Sequence, residues 1–184
     1  MIEKELKILL TKEQFVCLVK QFEWDQIRTQ VNYYYTDNNY IKNSGITIRV
    51  RECNNTIALQ LKVPVSEQGA IHMKQEIETF INEIPQKIDG DFLSKLCSVS
   101  LPDVSLAGFM VTERYIYKWS NDIEICLDKN KYLDIEDYEI EIEYKGNIDE
   151  SIFDFLYKNN IKIKDDVKGK CGRFFSHLLK GEGQ

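Results

Sequence analysis

Apolar and charged residues alternate along much of the chain, and this alternation predicts β-strands. In the segment 2–8, Glu3, Glu5 and Lys7 alternate with mostly apolar residues, and successive side chains of an extended strand point to opposite faces. The segment 138–144 repeats the pattern with a purely acidic face. One such strand is typical of a half-exposed antiparallel sheet, so the number of strands that share the pattern decides what it means.

Similar segments recur throughout the sequence, and the short connections between them predict antiparallel pairing. About eight strands are predicted, and besides the first they span residues 27–36, 46–51, 56–62, 72–78, 108–118, 122–127 and 136–145. Composition predicts a loop over residues 64–69. Apolar residues at helical spacing predict helices after the capping-box sequence 11–14, within 85–96 and after Asp149, and a short helix after Lys170.

The charged faces of these strands are sorted by sign. Acids gather on the strands that contain Glu5, Glu124 and Glu141, whereas bases gather on those that contain Arg49 and Arg114. An open sheet would turn this charged side to water. In a closed sheet, helices with apolar stripes find an apolar outer surface only if the charges point inward. We therefore expect an α+β fold with a closed eight-stranded antiparallel β-barrel and helices packed outside, and the open sheet stays an alternative.

The charges that line such a lumen must be balanced by opposite charges inside the protein. Unpaired buried charges are costly, so opposite charges must pair across the lumen or bind metals and a polyanion. Neighbouring carboxylates such as Glu3 and Glu5 repel one another unless a cation stands between them, which makes the pair a candidate seat for a hard divalent metal. The same repulsion predicts that removing an acid stabilises the metal-free protein.

Composition narrows the class of protein. With 184 residues and 43% hydrophobic content, we expect one domain over residues 1–184. The net charge of -6 argues against a nucleic-acid partner but permits a locally basic anion site. The five cysteines lack Cys-x-x-Cys spacing, which favours reduced thiols and a cytoplasmic location. We expect neither a signal peptide nor a membrane partner, since no apolar stretch is long enough to span a bilayer.

Several segments resemble one known family. Glu3-x-Glu5-x-Lys7 resembles the Glu-x-Glu-x-Lys signature of CYTH domains, also called triphosphate tunnel metalloenzymes. Further similar segments occur in the family's order along the whole chain: residues 34–37, the Gly45-to-Arg51 strand, the strand ending at Lys62, Arg114, Leu127-Asp128, the acidic strand 138–143 and Lys168-Gly169-Lys170. The chain departs from the family pattern at Gly169, where many relatives carry serine, and places the uncharged Gln60 and Cys126 on lumen-facing positions.

The resemblance implies an eight-stranded tunnel in which a divalent metal assists cleavage of a triphosphate. It implies that Mg²⁺ or Mn²⁺ is held by Glu3, Glu5, Asp128, Glu139 and Glu141. Glu143 would join them or pair with a base. It implies that phosphate oxygens are held by Lys7, Arg49, Arg51, Lys62, Arg114 and Lys170. The residues expected to carry catalysis are Glu3, Glu5, Lys7, Glu139 and Glu141.

The expected activity is hydrolysis of a compact triphosphate, with inorganic triphosphate as the leading substrate and a monomer or homodimer as the active species. The resemblance leaves thiamine triphosphatase and class IV-type adenylate cyclase activity open. A non-catalytic module that binds polyphosphate or nucleotide is the alternative of another class. The wall of carboxylates favours catalysis, because a polyanion binder gains nothing from such a wall unless a metal mediates.

Overall fold

The structure, a computed structural model, describes residues 2–37, 41, 44–68, 71–164 and 167–181. The strands of these residues are β1 (Ile2–Leu10), β2 (Gln26–Thr36), β3 (Thr47–Cys53), β4 (Thr56–Gln68), β5 (Ile71–Phe80), β6 (Lys87–Ile88), β7 (Val104–Lys118), β8 (Ile123–Tyr132) and β9 (Ile135–Tyr144). Their helices are α1 (Lys12–Val19), α2 (Gly90–Cys97), α3 (Glu150–Lys158) and α4 (Lys170–Gly181). None of these described helices has the length and apolar character that crossing a membrane requires.

The strands form one antiparallel sheet in the order β2-β3-β4-β5-β1-β9-β8-β7-β6. Strand β2 also pairs with β7, from Gln26 opposite Ile116 to Thr36 opposite Ser105. Each of the long strands therefore has two neighbours, and the sheet curls around an interior. The two-residue strand β6 pairs with β7 alone. The predicted α+β class and an antiparallel sheet that curls around an interior are confirmed, whereas closure into the predicted eight-stranded barrel stays a prediction.

Two apolar cores lie on the outer face of the sheet. In the first, α1 and α3 pack on β1, β8 and β9 around Ile8, Leu127 and Ile140. In the second, Leu93 of α2 packs on β3 and β4 around residues that include Ile48. The alternating apolar positions of the strands supply both surfaces, as the period of two requires. The predicted outward orientation of the apolar faces is confirmed.

Helix α4 packs differently from the other helices. Its fully buried Phe174 lies against Tyr34 of β2, Met110 of β7 and Tyr132 of β8. These three residues alternate in phase with the charged interior positions of their strands. The prediction that helices pack outside is thus confirmed for α1 to α3 and wrong for α4, because the interior itself offers α4 an apolar patch.

Two local predictions need correction. The predicted loop over residues 64–69 is wrong for residues 64–68, because β4 runs on to Gln68 with a register shift between Pro64 and Ser66, and residue 69 lies outside the described residues. Proline lacks the backbone N–H that a regular ladder uses, and a bulge tolerates this. The helix predicted from residue 85 begins only at Gly90, after the N-cap Asp89. A Cβ atom at position 90 would lie 2.4 Å from the Leu101 carbonyl oxygen, so glycine is needed there.

The capping box of α1 is present as predicted. The Thr11 hydroxyl accepts a hydrogen bond from the Gln14 backbone N–H at 3.2 Å, and the Gln14 side chain accepts one from the Thr11 backbone N–H at 2.9 Å. Thr11→Ala is expected to lower the free energy of unfolding by about 1 kcal/mol, measured by urea denaturation. Thr11→Ser keeps the hydroxyl and should behave like the wild type. Equal stability of the alanine variant would show that the cap contributes nothing.

Candidate functional site

The interior of the curled sheet contains a cavity of about 840 Å³ lined by charged side chains. Arg49, Arg51 and Glu141, each predicted to face inward, all line it, and Arg49 is only 7% exposed. The predicted inward orientation of the ionic faces is confirmed. The other predicted site residues that line the cavity are Glu5, Lys7, Lys62, Arg114 and Lys170.

One side of the cavity is a basic wall formed by Arg28, Arg49, Arg51 and Arg114. Arg49 Nε donates to Gln60 Oε1 at 2.8 Å, and Arg51 Nε donates to Asn32 Oδ1 at 3.0 Å. Burial and the neighbouring guanidinium groups of Arg49 and Arg114 lower the pKa of Arg51 to about 9. These cations repel one another, and a bound anion would remove that repulsion.

Facing these bases is an acidic wall on β1, β8 and β9. Asp128 of β8 lies opposite Glu139 of β9, and Lys7 of β1 lies opposite Glu141. The acids form two groups in which oxygen atoms from three carboxylates lie within 4.8 Å of one another. The accessible group comprises Glu5, Glu141 and Glu143, and the deep group comprises Asp128, Glu139 and Glu141. Clustered carboxylate oxygens suit hard divalent cations.

Basic side chains already neutralise most of these acids. Lys7 Nζ lies 2.9 Å from Glu5 Oε1 and 3.0 Å from Glu141 Oε1. Arg114 donates to both oxygens of Asp128, at 2.8 and 2.6 Å, and also contacts Glu141. Burial alone would raise the pKa of Glu141, but Lys170, Lys7 and Arg114 hold it well below the usual carboxyl range. Glu141 therefore carries its charge in the folded protein.

Arg173 belongs to the same network, although sequence reasoning missed it. Its Nε donates to Asp137 Oδ2 at 2.8 Å, and its Nη1 donates to Glu139 Oε2 at 2.9 Å and to the Lys168 carbonyl at 2.8 Å. Burial opposes the charged form of Glu139, but Lys170 and Arg173 lower its pKa to about 2. The sequence did contain a signal for Arg173. It lies three residues after Lys170, and this spacing places both bases on one face of a helix.

The remaining predicted residues lie as follows. Lys62 contacts Glu76 across the β4–β5 pair. Asp128 and Glu139 have no exposed surface and lie behind the cavity lining. The backbone of Glu3 belongs to β1, but its side chain lies outside the described part of the structure. The roles assigned to all these residues stay predictions.

Comparison with known proteins identifies the family to which the chain belongs. The model of the CYTH domain family matches residues 1–166. The chain belongs to the CYTH family. A relative from Bacillus subtilis (strain 168), named "Putative triphosphatase YjbK", is 30% identical over 190 residues, which cover 97% of each protein.

Two solved structures share the fold. A crystal structure from Bacillus halodurans, described as a "putative adenylate cyclase", is 26% identical with a TM-score of 0.70, covering 93% of this chain and 96% of that one. The Hippeastrum protein HpAC1, described as having a dominant triphosphatase activity, is 18% identical with a TM-score of 0.74, covering 97% and 96%. The second likeness concerns the fold alone.

Proposed function

We propose that this CYTH protein hydrolyses a compact triphosphate, foremost inorganic triphosphate, with the help of Mg²⁺ or Mn²⁺. In this proposal the curled sheet surrounds the substrate as a tunnel. The observation that carries the proposal is the pair of opposed walls on one cavity, a cluster of arginines facing clustered carboxylates. The name of the 30% identical relative, a triphosphatase, points the same way.

The carboxylates supply a fitting place for the metal. Glu5, Glu141 and Glu143 offer three hard oxygen donors beside the cavity, and such donors are what Mg²⁺ and Mn²⁺ prefer. A bound divalent ion would neutralise phosphate oxygens and lower the pKa of a water molecule. Glu3, from the predicted ligand set, would extend this group along β1.

The basic wall would hold the phosphate oxygens. Arg49 and Arg51 can each make bidentate contacts, and Lys7 and Lys62 act as point charges. Arg114 bridges the two walls, because it lines the cavity while binding Asp128. Phosphoryl transfer needs positioning and charge neutralisation more than covalent chemistry, so the residues in place require no side-chain nucleophile.

The charged lining favours a substrate without a large organic group. The described cavity residues present guanidinium, ammonium and carboxylate groups, together with apolar side chains such as Ile46, Phe175 and Leu179. The phosphate oxygens of a substrate can pair with the charged groups, whereas a nucleotide would also need side chains that recognise its base. Inorganic triphosphate offers only phosphate oxygens, all of which these groups can contact. Adenylate cyclase activity would need such recognition, so hydrolysis is the function that the lining supports best.

The test is phosphate release from inorganic triphosphate, thiamine triphosphate and ATP, each with Mg²⁺, with Mn²⁺ and with a chelator. Inorganic triphosphate should be hydrolysed fastest, and the chelator should abolish release. Lys131→Ala is the matched control, because this exposed lysine contacts Glu136 on the outside. Equal or faster turnover of ATP would contradict the substrate assignment. Binding of triphosphate without any release would favour the non-catalytic module.

A further inference from the structure

The five arginines of the chain fall into two sets according to their partners. Arg114 and Arg173 are ion-paired with buried carboxylates of β8 and β9. Among the residues that the structure describes, Arg28, Arg49 and Arg51 make no ion pair with a carboxylate. We call these three the unpaired arginines. Charges without a partner inside a protein are costly, so the unpaired arginines mark where a bound anion stabilises the protein most.

Arg28 makes fewer hydrogen bonds than the other two unpaired arginines. Arg49 and Arg51 each donate Nε to a side-chain amide oxygen, whereas the buried Nε of Arg28 has no hydrogen-bond partner in the described part of the chain. Arg28 also lies directly opposite Arg114 in the β2–β7 pair, and like charges that face each other across two strands are destabilising. Because Arg28 lines the cavity, an anion bound there can relieve both costs.

The unpaired arginines lie at three levels along β2. The register sets Arg49 opposite Tyr34 and Arg51 opposite Asn32, and Arg28 comes four residues before Asn32. Four residues of a strand span about 13 Å. Arg49 and Arg51 alternate on one strand, so a short anion can contact both. An anion reaches Arg28 as well only if it extends along β2, and each further phosphate group lengthens it.

The Arg28 end of this row lies beside the acidic wall. Arg114, opposite Arg28, contacts Glu141 and lies 3.6 Å from Glu143 through its Nη1. Both acids belong to the accessible group of carboxylates. A phosphate group bound between Arg28 and Arg114 would therefore lie next to the carboxylates that are proposed to hold the metal.

We propose that Arg28 determines specificity for the length of the phosphate chain. It holds one terminal phosphate group of inorganic triphosphate, while Arg49 and Arg51 hold the other end. Pyrophosphate and orthophosphate bind at Arg49 and Arg51 and do not reach Arg28. This inference rests on the proposed function, because it takes triphosphate as the ligand of the cavity.

The experiment measures the affinities of inorganic triphosphate, pyrophosphate and orthophosphate by titration calorimetry, with a chelator present to prevent turnover. Arg28→Gln removes the charge, and it should weaken binding of triphosphate at least about tenfold, as the loss of a hydrogen bond to a charged group does. Binding of the two shorter anions should stay close to that of the wild type. Thr29→Ala is the matched control, because Thr29 is exposed on the opposite face of the same strand, and it should bind all three anions like the wild type.

The melting temperature without ligand separates this role from a structural one. Removing a charge that faces Arg114 relieves repulsion, so ligand-free Arg28→Gln should melt at or above the temperature of the wild type. A variant that melts lower or does not fold would give Arg28 a structural role and overturn the inference. Unchanged affinity for triphosphate, or an equal loss of affinity for all three anions, would overturn it too while leaving the proposed hydrolysis intact. A wild type without affinity for triphosphate would contradict the inference and the proposed function together.

Discussion

Replacing Glu141 by Gln should lower the turnover of triphosphate at least about 100-fold. Loss of a residue that only supports a metal ligand already lowers activity by up to about 100-fold. Glu141 is the acid that both carboxylate groups share. It also contacts Lys7, Arg114 and Lys170, so its charge holds bases from three elements in place. Glutamine keeps the shape but removes that charge. Turnover is measured as steady-state phosphate release at saturating Mg²⁺.

The matched control for this prediction lies on the same strand. Glu136 is an exposed acid of β9 that faces Lys129 and Lys131 on the outside, so Glu136→Gln should leave turnover unchanged. Circular dichroism shows whether each variant is folded. Metal-dependent turnover equal to the wild type in folded Glu141→Gln would refute the role of Glu141.

The structure changes the expected stability of such variants. Repulsion among the acids predicted that removing one of them stabilises the metal-free protein, but each acid of the deep group is paired with a base. Removing one partner of a buried pair leaves the other charge uncompensated. The melting temperature of Glu141→Gln should therefore fall below that of the wild type.

Replacing Arg49 or Arg51 by Ala should weaken binding of inorganic triphosphate by about 10- to 150-fold, because a hydrogen bond to a charged group contributes about 1.5–3 kcal/mol. The free energy of unfolding of the metal-free protein should fall by less than the free energy of triphosphate binding does. Burial and the charges of Arg49 and Arg114 oppose the charged form of Arg51, so its removal relieves repulsion. The affinity is measured by calorimetry with a chelator present, which prevents turnover.

Melting temperatures test the same prediction through the stability that bound triphosphate adds to the folded protein. A ligand at 100 times its dissociation constant stabilises the folded state by about 2.7 kcal/mol, so triphosphate should raise the melting temperature of the wild type clearly and that of either variant much less. Lys131→Ala should shift like the wild type, since this base lies outside the cavity. Equal shifts in Arg49→Ala and wild type would exclude Arg49 from the anion site.

Much of the fold follows from the sequence because alternation is a local property. The period of two places Arg49 and Arg51 on one face and the intervening Val50 on the other, wherever the strand lies. The apolar stripes of α1 to α3 then require an apolar outer surface, which forces the charges inward. The capping box of Thr11 and the cap at Asp149 are equally local, and the structure shows both.

The partner of each charge depends on the tertiary structure. Strand order and register bring Lys7 beside Glu141 and set Arg114 opposite Asp128, and no local pattern encodes pairings between positions so far apart in the chain. Arg28 was missed for the same reason, because its segment shows no charge pattern of its own. All five arginines of the chain, Arg28, Arg49, Arg51, Arg114 and Arg173, meet the cavity or its acids.

The placement of α4 shows most clearly which features follow from the sequence and which depend on the tertiary structure. Its sequence predicted a short helix that follows basic residues, and the helix is there. The amphipathic pattern shows only that one face must be buried. The folded sheet decides where, because its interior offers acids to Lys170 and Arg173 and an apolar patch to Phe174. Periodicity along the chain thus determined the elements and their faces, whereas long-range packing and the pairing of opposite charges determined the site.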